Sequence, residues 1–197
     1  MLESQVVSCG PIEYRIRNRY QLTARSSLTQ DIVFYADDPM IRFDTRMDWQ
    51  DDHRLLKTAF PTSILSDFAR QEIQFGHVKR PTTRNTSIEK AKFEVCNHRF
   101  TDLSELRYGV SLLNDCKYGI SVKDGCMALT LHKGGCRPDA AGDEGIHDCT
   151  YALLPHIGDF SSDTVIRAAY CINDPVSVVS GRTQNPVSYT HLRAHET

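Results

Sequence analysis

Five of the eight histidines, His77, His98, His132, His147 and His156, invite a metal reading, because imidazole is the commonest protein ligand to zinc. Their spacing does not support it. None stands at ligand-like separation from another or from a carboxylate, so they read as structural or solvent-exposed histidines, and no metal site is expected in this chain. Cys136, His147 and Cys149 make at most an incidental site in a loop. Two carboxylate pairs, Asp102 with Glu105 and Asp143 with Glu144, have the residue types for an acid and a nucleophile. Closeness in sequence does not create the facing geometry that such chemistry needs, and turn-forming or capping roles are the expectation. Asn85-Thr86-Ser87 has the pattern of a glycosylation sequon, but in an intracellular chain its use is a turn.

Two polar clusters remain. Arg80, Arg84 and Asn85 share one loop, and Asn114, Asp115 and Lys117 follow an apolar run. Groups of these types can hydrogen-bond sugar hydroxyls, and loops on a rigid scaffold are where recognition tends to sit. Trp49 could stack on a sugar, yet it occupies the apolar side of a strongly alternating segment and reads as core.

The elements that would position these residues are strands. Ile41, Phe43, Thr45, Met47 and Trp49 alternate with Arg42, Asp44, Arg46, Asp48 and Gln50, the period of a half-buried strand. Ile12 to Leu22 and Ile32 to Tyr35 suit strands as well, with a turn at Ala36-Asp37-Asp38-Pro39 between the second of them and the next. Apolar residues alternate on either side of Lys123-Asp124-Gly125, a hairpin signal in which glycine takes the positive φ of a tight turn. Further strands are expected around Ile73 and Phe75, Phe93 and Val95, Tyr108 to Leu113, and Tyr151 to Leu154. Ile64 to Phe75 supports at most a turn or two of helix, and no helical stripe of useful length is visible. The expected fold class is all-β, an antiparallel β-sandwich.

Composition narrows the partners. A formal charge of −2 gives no field to draw the chain to nucleic acid or to an anionic membrane. No run approaches the ~20 apolar residues of a membrane span, and Met1 to Gly10 lacks the order of a signal peptide, so the chain reads as soluble and cytoplasmic. Seven scattered cysteines, an odd number with no C-x-x-C pair, read as reduced thiols. After Asn173-Asp174-Pro175 the periodicity fades. Val187 to Thr197 resembles the translation of a transposase sequencing adapter, which divides the chain into a native part, residues 1–184, and a non-native, disordered tail, residues 185–197.

Four stretches are too specific for generic sheet: Leu28 to Tyr35 (LTQDIVFY), Leu55 to Pro61 (LLKTAFP), Glu72 to Ser87 (EIQFGHVKRPTTRNTS) and Tyr108 to Gly119 (YGVSLLNDCKYG). With Asp102 to Glu105 and Thr150 to His156, they resemble the C-terminal region of family 38 α-mannosidases of the cytosolic type, in order, from Val6 to about Ile172. One departure is visible, since the family commonly carries a tryptophan after Asn-Thr-Ser where this chain has Ile88-Glu89-Lys90. The resemblance implies a galactose-mutarotase-like sandwich, here incomplete. It also implies a parent enzyme that hydrolyses terminal α-mannosides with retention, using an aspartate nucleophile, a second carboxylate and a zinc ion. Nucleophile and zinc belong to an N-terminal barrel outside this sequence, so no catalytic residue is expected here and the chain alone is expected to be inactive. Its partners would be that barrel and mannosides or oligosaccharides, with Arg84, Asn114 and Asp115 facing the cleft. A free-standing carbohydrate-binding or structural module is the competing reading, but it calls for aromatic residues in loops, and aromatics are only 9 % of this chain, mostly in strand-like positions.

Overall fold

The computed structural model describes residues 1–135, 137–139 and 142–178; the adapter-like tail and Cys136 lie outside the described residues. The chain opens with a four-strand meander, β1 (Glu3–Cys9), β2 (Glu13–Gln21), β3 (Ser27–Tyr35) and β4 (Ile41–Trp49). It continues through β5 (Leu55–Pro61), the hairpin β6 (Phe68–Ile73) and β7 (Gly76–Pro81), a short helix α1 (Ser87–Ala91), then β8 (Val95–Cys96), β9 (Phe100–Ser104) and β10 (Tyr108–Asn114). The strands β11 (Gly119–Lys123), β12 (Cys126–Lys133) and β13 (Gly145–Ile157) follow, and a π-helical turn (Ser162–Ile166) leads into α2 (Arg167–Asn173).

Two antiparallel sheets result. One runs β1-β2-β3-β4-β13-β10-β9-β6-β7 and the other β5-β12-β11-β8. They pack face to face, because alternate residues of each are apolar on one side only. Leu28, Phe43, Met47, Leu103, Leu112 and Tyr151 of the larger sheet meet Ile120, Met127, Leu129 and Leu131 of the smaller in one core. Phe43 stacks on Tyr151 with ring centroids 5.1 Å apart, and Phe60 of β5 closes on both from the opposite sheet. A second core lies on the outer face of the larger sheet, where Phe100, Leu113, Ala152 and Leu154 are covered by Val165 and Ala169 of the C-terminal helical segment.

The alternation in β4 predicts its faces correctly: Phe43, Thr45, Met47 and Trp49 are buried and Arg46 and Asp48 exposed. Trp49 is 2 % exposed and its indole N–H donates to the Asp51 carbonyl at 2.6 Å, which makes it core and unavailable to a ligand. The Asp-Gly turn is also found, with Asp124 and Gly125 at φ of 50° and 73° and Lys123 paired to Cys126.

Other expectations need correction. Phe75 is in the β6–β7 turn at φ 63°, fully exposed, since pairing of Ile73 with Gly76 leaves it at the tip. Phe93 lies in an exposed bend and the strand begins only at Val95. Ile64 is buried under the core with no helix around it. Two short helices form instead. For α1, Thr86 accepts from the Glu89 N–H while the Glu89 carboxylate returns to the Thr86 N–H, a capping box written in the sequence as Thr-x-x-Glu, so the sequon serves a helix start and not a turn. The segment leading into and through α2 carries Val165, Ala169 and Ile172, a stripe of three residues at helical spacing.

Leu112 is fully buried between the sheets, so Leu112→Ala should lower unfolding free energy by about 2–5 kcal/mol in urea titration, against less than about 0.5 kcal/mol for Leu65→Ala at an 89 % exposed position.

Candidate functional site

The outer face of the larger sheet divides chemically along its width. Strands β2, β3, β4 and β13 present a lattice of ion pairs, and the pairing of Asp31 with Asp44 directly across β3 and β4 would by itself be repulsive. Arginines resolve it. Arg17 grips Asp31 with two nitrogens, at 2.7 and 2.8 Å, while Arg15 Nη1 lies 3.1 Å from both Asp31 and Asp44 and Arg42 Nε lies 2.7 Å from Asp44. The Arg17 hydrogen bonds, above all, hold the Asp31 carboxyl below its ordinary range against the opposing effect of burial. It is therefore ionised and cannot serve as a proton donor.

Beside this lattice is an open depression of about 500 Å³, lined by Arg17, Asp31, Arg42, Asp44, Asp115 and Asp148 among others. Asp115 enters it from the loop after β10, where its backbone N–H donates to the Thr150 carbonyl at 3.1 Å and its carboxylate accepts from the Thr150 N–H at 2.9 Å. Alternating carboxylates and guanidiniums offer acceptors and donors to a polyhydroxylated ligand or to a polar protein surface.

The three residues singled out in the sequence do not converge. Asn114, one position before Asp115, is fully buried: its amide donates to the His98 carbonyl at 2.7 Å and accepts from the Lys117 N–H at 2.7 Å, so it fastens the loop from within. Arg84 belongs to a different cavity, with Arg80 and Lys92, and donates to the Phe93 carbonyl at 3.1 Å. Only Asp115 borders the lattice.

A second polar group, absent from the sequence reading, lies under the other half of the same face. Asp102 was expected in a turn, yet it sits inside β9 at 1 % exposure, a correction that follows from its partners. Its carboxylate accepts from Ser104 at 2.7 Å, Ser111 at 2.8 Å and His156 Nε2 at 2.7 Å, with Arg70 at 3.8 Å. Arg70 in turn holds Asp159 through two bonds of 2.6 and 2.9 Å, which keep the Asp159 carboxyl well below the ordinary range. Gly109 makes room for this arrangement, because a Cβ there would lie 2.4 Å from the His156 ring and 2.5 Å from Ser104. Serine, histidine and aspartate are thus in contact, but both hydroxyls donate to the carboxylate and neither to the imidazole, which is the wrong order for a nucleophile. The group is a buried clasp across β6, β9, β10 and β13.

Among the described residues no group of three His, Cys, Asp or Glu side chains is placed to hold a metal ion. The nearest approach is His132 against His147, ring centroids 4.5 Å apart, where burial and the neighbouring His147 push the His132 value down, and His147 Nε2 is 2.8 Å from the Asp143 carbonyl. Six described cysteines are free. Burial pushes the Cys149 thiol up to about 11, so it is protonated at neutral pH. The carboxyls that move clearly from their ordinary range, Glu13, Asp31, Asp51, Glu89 and Asp159, all move downward. None is tuned as a general acid.

Fold and site together define a β-sandwich module with charged and polar groups on its outer face, and the carboxyls that are displaced all move downward. The family model described as Glycosyl hydrolases family 38 C-terminal domain matches residues 2–141, and the chain belongs to that family. It is 44 % identical over 168 residues to Alpha-mannosidase 2C1 of Homo sapiens, covering 85 % of this chain and 16 % of the human protein. It is likewise 44 % identical over 167 residues to an Alpha-mannosidase of Saccharomyces cerevisiae, covering 81 % of this chain and 15 % of the yeast protein. The chain thus spans about one sixth of the length of these curated relatives. The crystal structure of an alpha-mannosidase from Enterococcus faecalis superposes with a TM-score of 0.74 at 16 % identity, over 85 % of this chain and 23 % of that one, which supports the sandwich fold.

The clasp gives a pH prediction. The Asp102 hydrogen bond, opposed by burial, holds the His156 imidazolium above its ordinary value. A proton bound more tightly in the folded state stabilises fully below the unfolded value of about 6.5, and that contribution is lost as pH rises through the raised folded value. Urea midpoints should therefore carry a component that falls as pH rises above about 6.5, and that component should disappear in His156→Gln.

Proposed function

We propose that this chain is part of the C-terminal sandwich of an α-mannosidase that hydrolyses terminal α-mannosides with retention, and that its own task is to support the catalytic barrel and border the substrate cleft. The observation that carries the proposal is 44 % identity to alpha-mannosidases across more than four-fifths of the chain. Retention needs two carboxyls about 5 Å apart, one of them able to donate a proton. The carboxyls displaced here are displaced the wrong way for that, which supports placing nucleophile and acid in the barrel. Zinc would be held there too, since the described residues offer no ligand set. The parent is proposed to be cytoplasmic. No helix of the described residues is long and apolar enough to cross a membrane, and free cysteines suit a reducing compartment.

Of the two half-buried residues, Asp115 would border the cleft or the barrel surface through the open lattice, and Arg84 through its own loop. The whole parent frame should hydrolyse 4-nitrophenyl α-mannoside, and the 197-residue protein alone should stay at the blank rate. Turnover by the chain alone would overturn the assignment. A zinc chelator should abolish turnover by the parent and leave the melting temperature of the isolated chain unchanged. In the parent, Asp115→Ala should raise KM several-fold, whereas Asn114→Ala should act through a lowered melting temperature, because its amide bonds are internal. Unchanged kinetics in both Asp115→Ala and Arg84→Ala would remove the cleft-facing role.

A further inference from the structure

The two sheets of the sandwich are unequal, with nine strands against four. Phe60 of β5 meets Phe43 of β4 at 5.5 Å between ring centroids, and at the other end Val95 of β8 shares a cavity with Gln71 of β6, so the smaller sheet spans β4 to β6. β1, β2 and the far end of β3 extend past it. Their outer face is charged, and register puts apolar residues on the inner one. Val6 pairs with Ile16 and Ile16 with Ile32, while Tyr14 pairs with Phe34, rings 6.4 Å apart. Under the smaller sheet this face is core, with Leu28 and Phe43 buried. Beyond it Val6 is 52 % exposed, Tyr14 38 % and Phe34 36 %. An apolar row opposite a charged one marks a strand covered on one side, and here the smaller sheet stops short of covering it.

The edge at which it stops can be extended. β5 is the end strand of the smaller sheet, paired on one side to β12 and on the other to no strand among the described residues. The Thr62 N–H donates to the Gly125 carbonyl at 3.0 Å. Alternation along an antiparallel pair then turns the backbone groups of Phe60 and Thr58 toward β12 and those of Ala59 and Lys57 outward, on the side of the exposed apolar row. Pro61, whose nitrogen carries no hydrogen, closes this outward series. Row and edge call for the same occupant, an extended segment that hydrogen-bonds the edge and lays apolar side chains on the row. A second copy of this chain does not fit, because joining two β5 edges antiparallel would set both larger sheets on one side and drive each overhang into the other. The parent can supply such a segment, since the residues here span about one sixth of the length of the curated relatives. We propose that the smaller sheet continues past β5 with at least one strand from the parent chain outside this sequence, hydrogen-bonded to Lys57 and Ala59 and covering Tyr14 and Phe34. The inference rests on the reading of this chain as part of a longer enzyme.

Residue-resolved hydrogen exchange on the full parent protein tests it. The Lys57 and Ala59 amides should exchange as slowly as those of Thr58 and Phe60, at least about a hundredfold below the unprotected rate. Exchange of Lys57 and Ala59 near the unprotected rate, beside slow Thr58 and Phe60, overturns the added strand. Hydroxyl-radical footprinting of the same unaltered protein reads the row: Tyr14 and Phe34 should be oxidised as slowly as the buried Phe43 and Tyr151. Oxidation of both at the rate of an exposed ring overturns the cover. Protection that appears only as the parent dimerises in sedimentation assigns the edge to a second copy, and that also overturns the proposal. Turnover of 4-nitrophenyl α-mannoside by the same preparation keeps the two readings apart. An active parent with a free β5 edge loses the strand and retains the function, and an inactive parent with a protected edge does the reverse.

Discussion

A carboxylate cut off from solvent must be surrounded by donors before a sheet can close over it, and Asp102 imposes that condition on half of the larger sheet. Its partners come from four strands, Arg70 of β6, Ser104 of β9 itself, Ser111 of β10 and His156 of β13. Because side chains alternate across a strand, a slip of one residue in β9 would turn Leu103 into that position and leave the charge facing the apolar core. The clasp therefore fixes the register, and the register sets which residues reach each surface. It also explains the glycine at position 109, since a Cβ there would clash with the His156 imidazole and with Ser104.

The two halves of the outer face handle polarity by opposite means. On the half that carries the clasp, charge is enclosed and the Asp102 carboxylate is ringed by donors, while Phe100, Leu113, Ala152 and Leu154 pack against the helical segment, whose Tyr170 ring lies 3.8 Å from the Arg99 guanidinium. On β2 to β4, charge stays at the surface in a continuous lattice where each arginine serves one to three carboxylates. Individually such partly exposed pairs are worth little, but the shared partners make the lattice rigid, and rigid donors and acceptors recognise shape better than mobile ones.

What could be read from the sequence was whatever repeats locally. The period of two in β4 and the Asp-Gly turn at Asp124 are properties of a few adjacent residues, and the fold returns both. Asp102 was misread because Thr-Asp-Leu-Ser looks like a polar turn, and nothing nearby reveals partners that lie 32 residues before it and 54 after it. Asn114 and Asp115 were grouped as neighbours in a loop, yet alternation at the end of β10 turns the first inward and the second toward the open face. Phe75 and Phe93 were given to strands on hydrophobicity alone, when a paired Ile73–Gly76 and a bend after α1 put them outside. The capping box is written locally as Thr86-x-x-Glu89, but the same residues also read as a turn, and only the structure shows which holds.

The position of β13 has a consequence for how the molecule is made. The final strand is central, paired along one edge to β4 and along the other to β10, so it joins two blocks that are complete in sequence long before it exists. A nascent chain emerging from the ribosome would carry the β1–β4 meander with one inner edge open, and later the β10 edge as well, until residue 157 clears the tunnel. Unpaired edges are templates for wrong partners. Until β13 is made, the β4 and β10 edges that it covers in the finished sheet lack the strand that pairs with both.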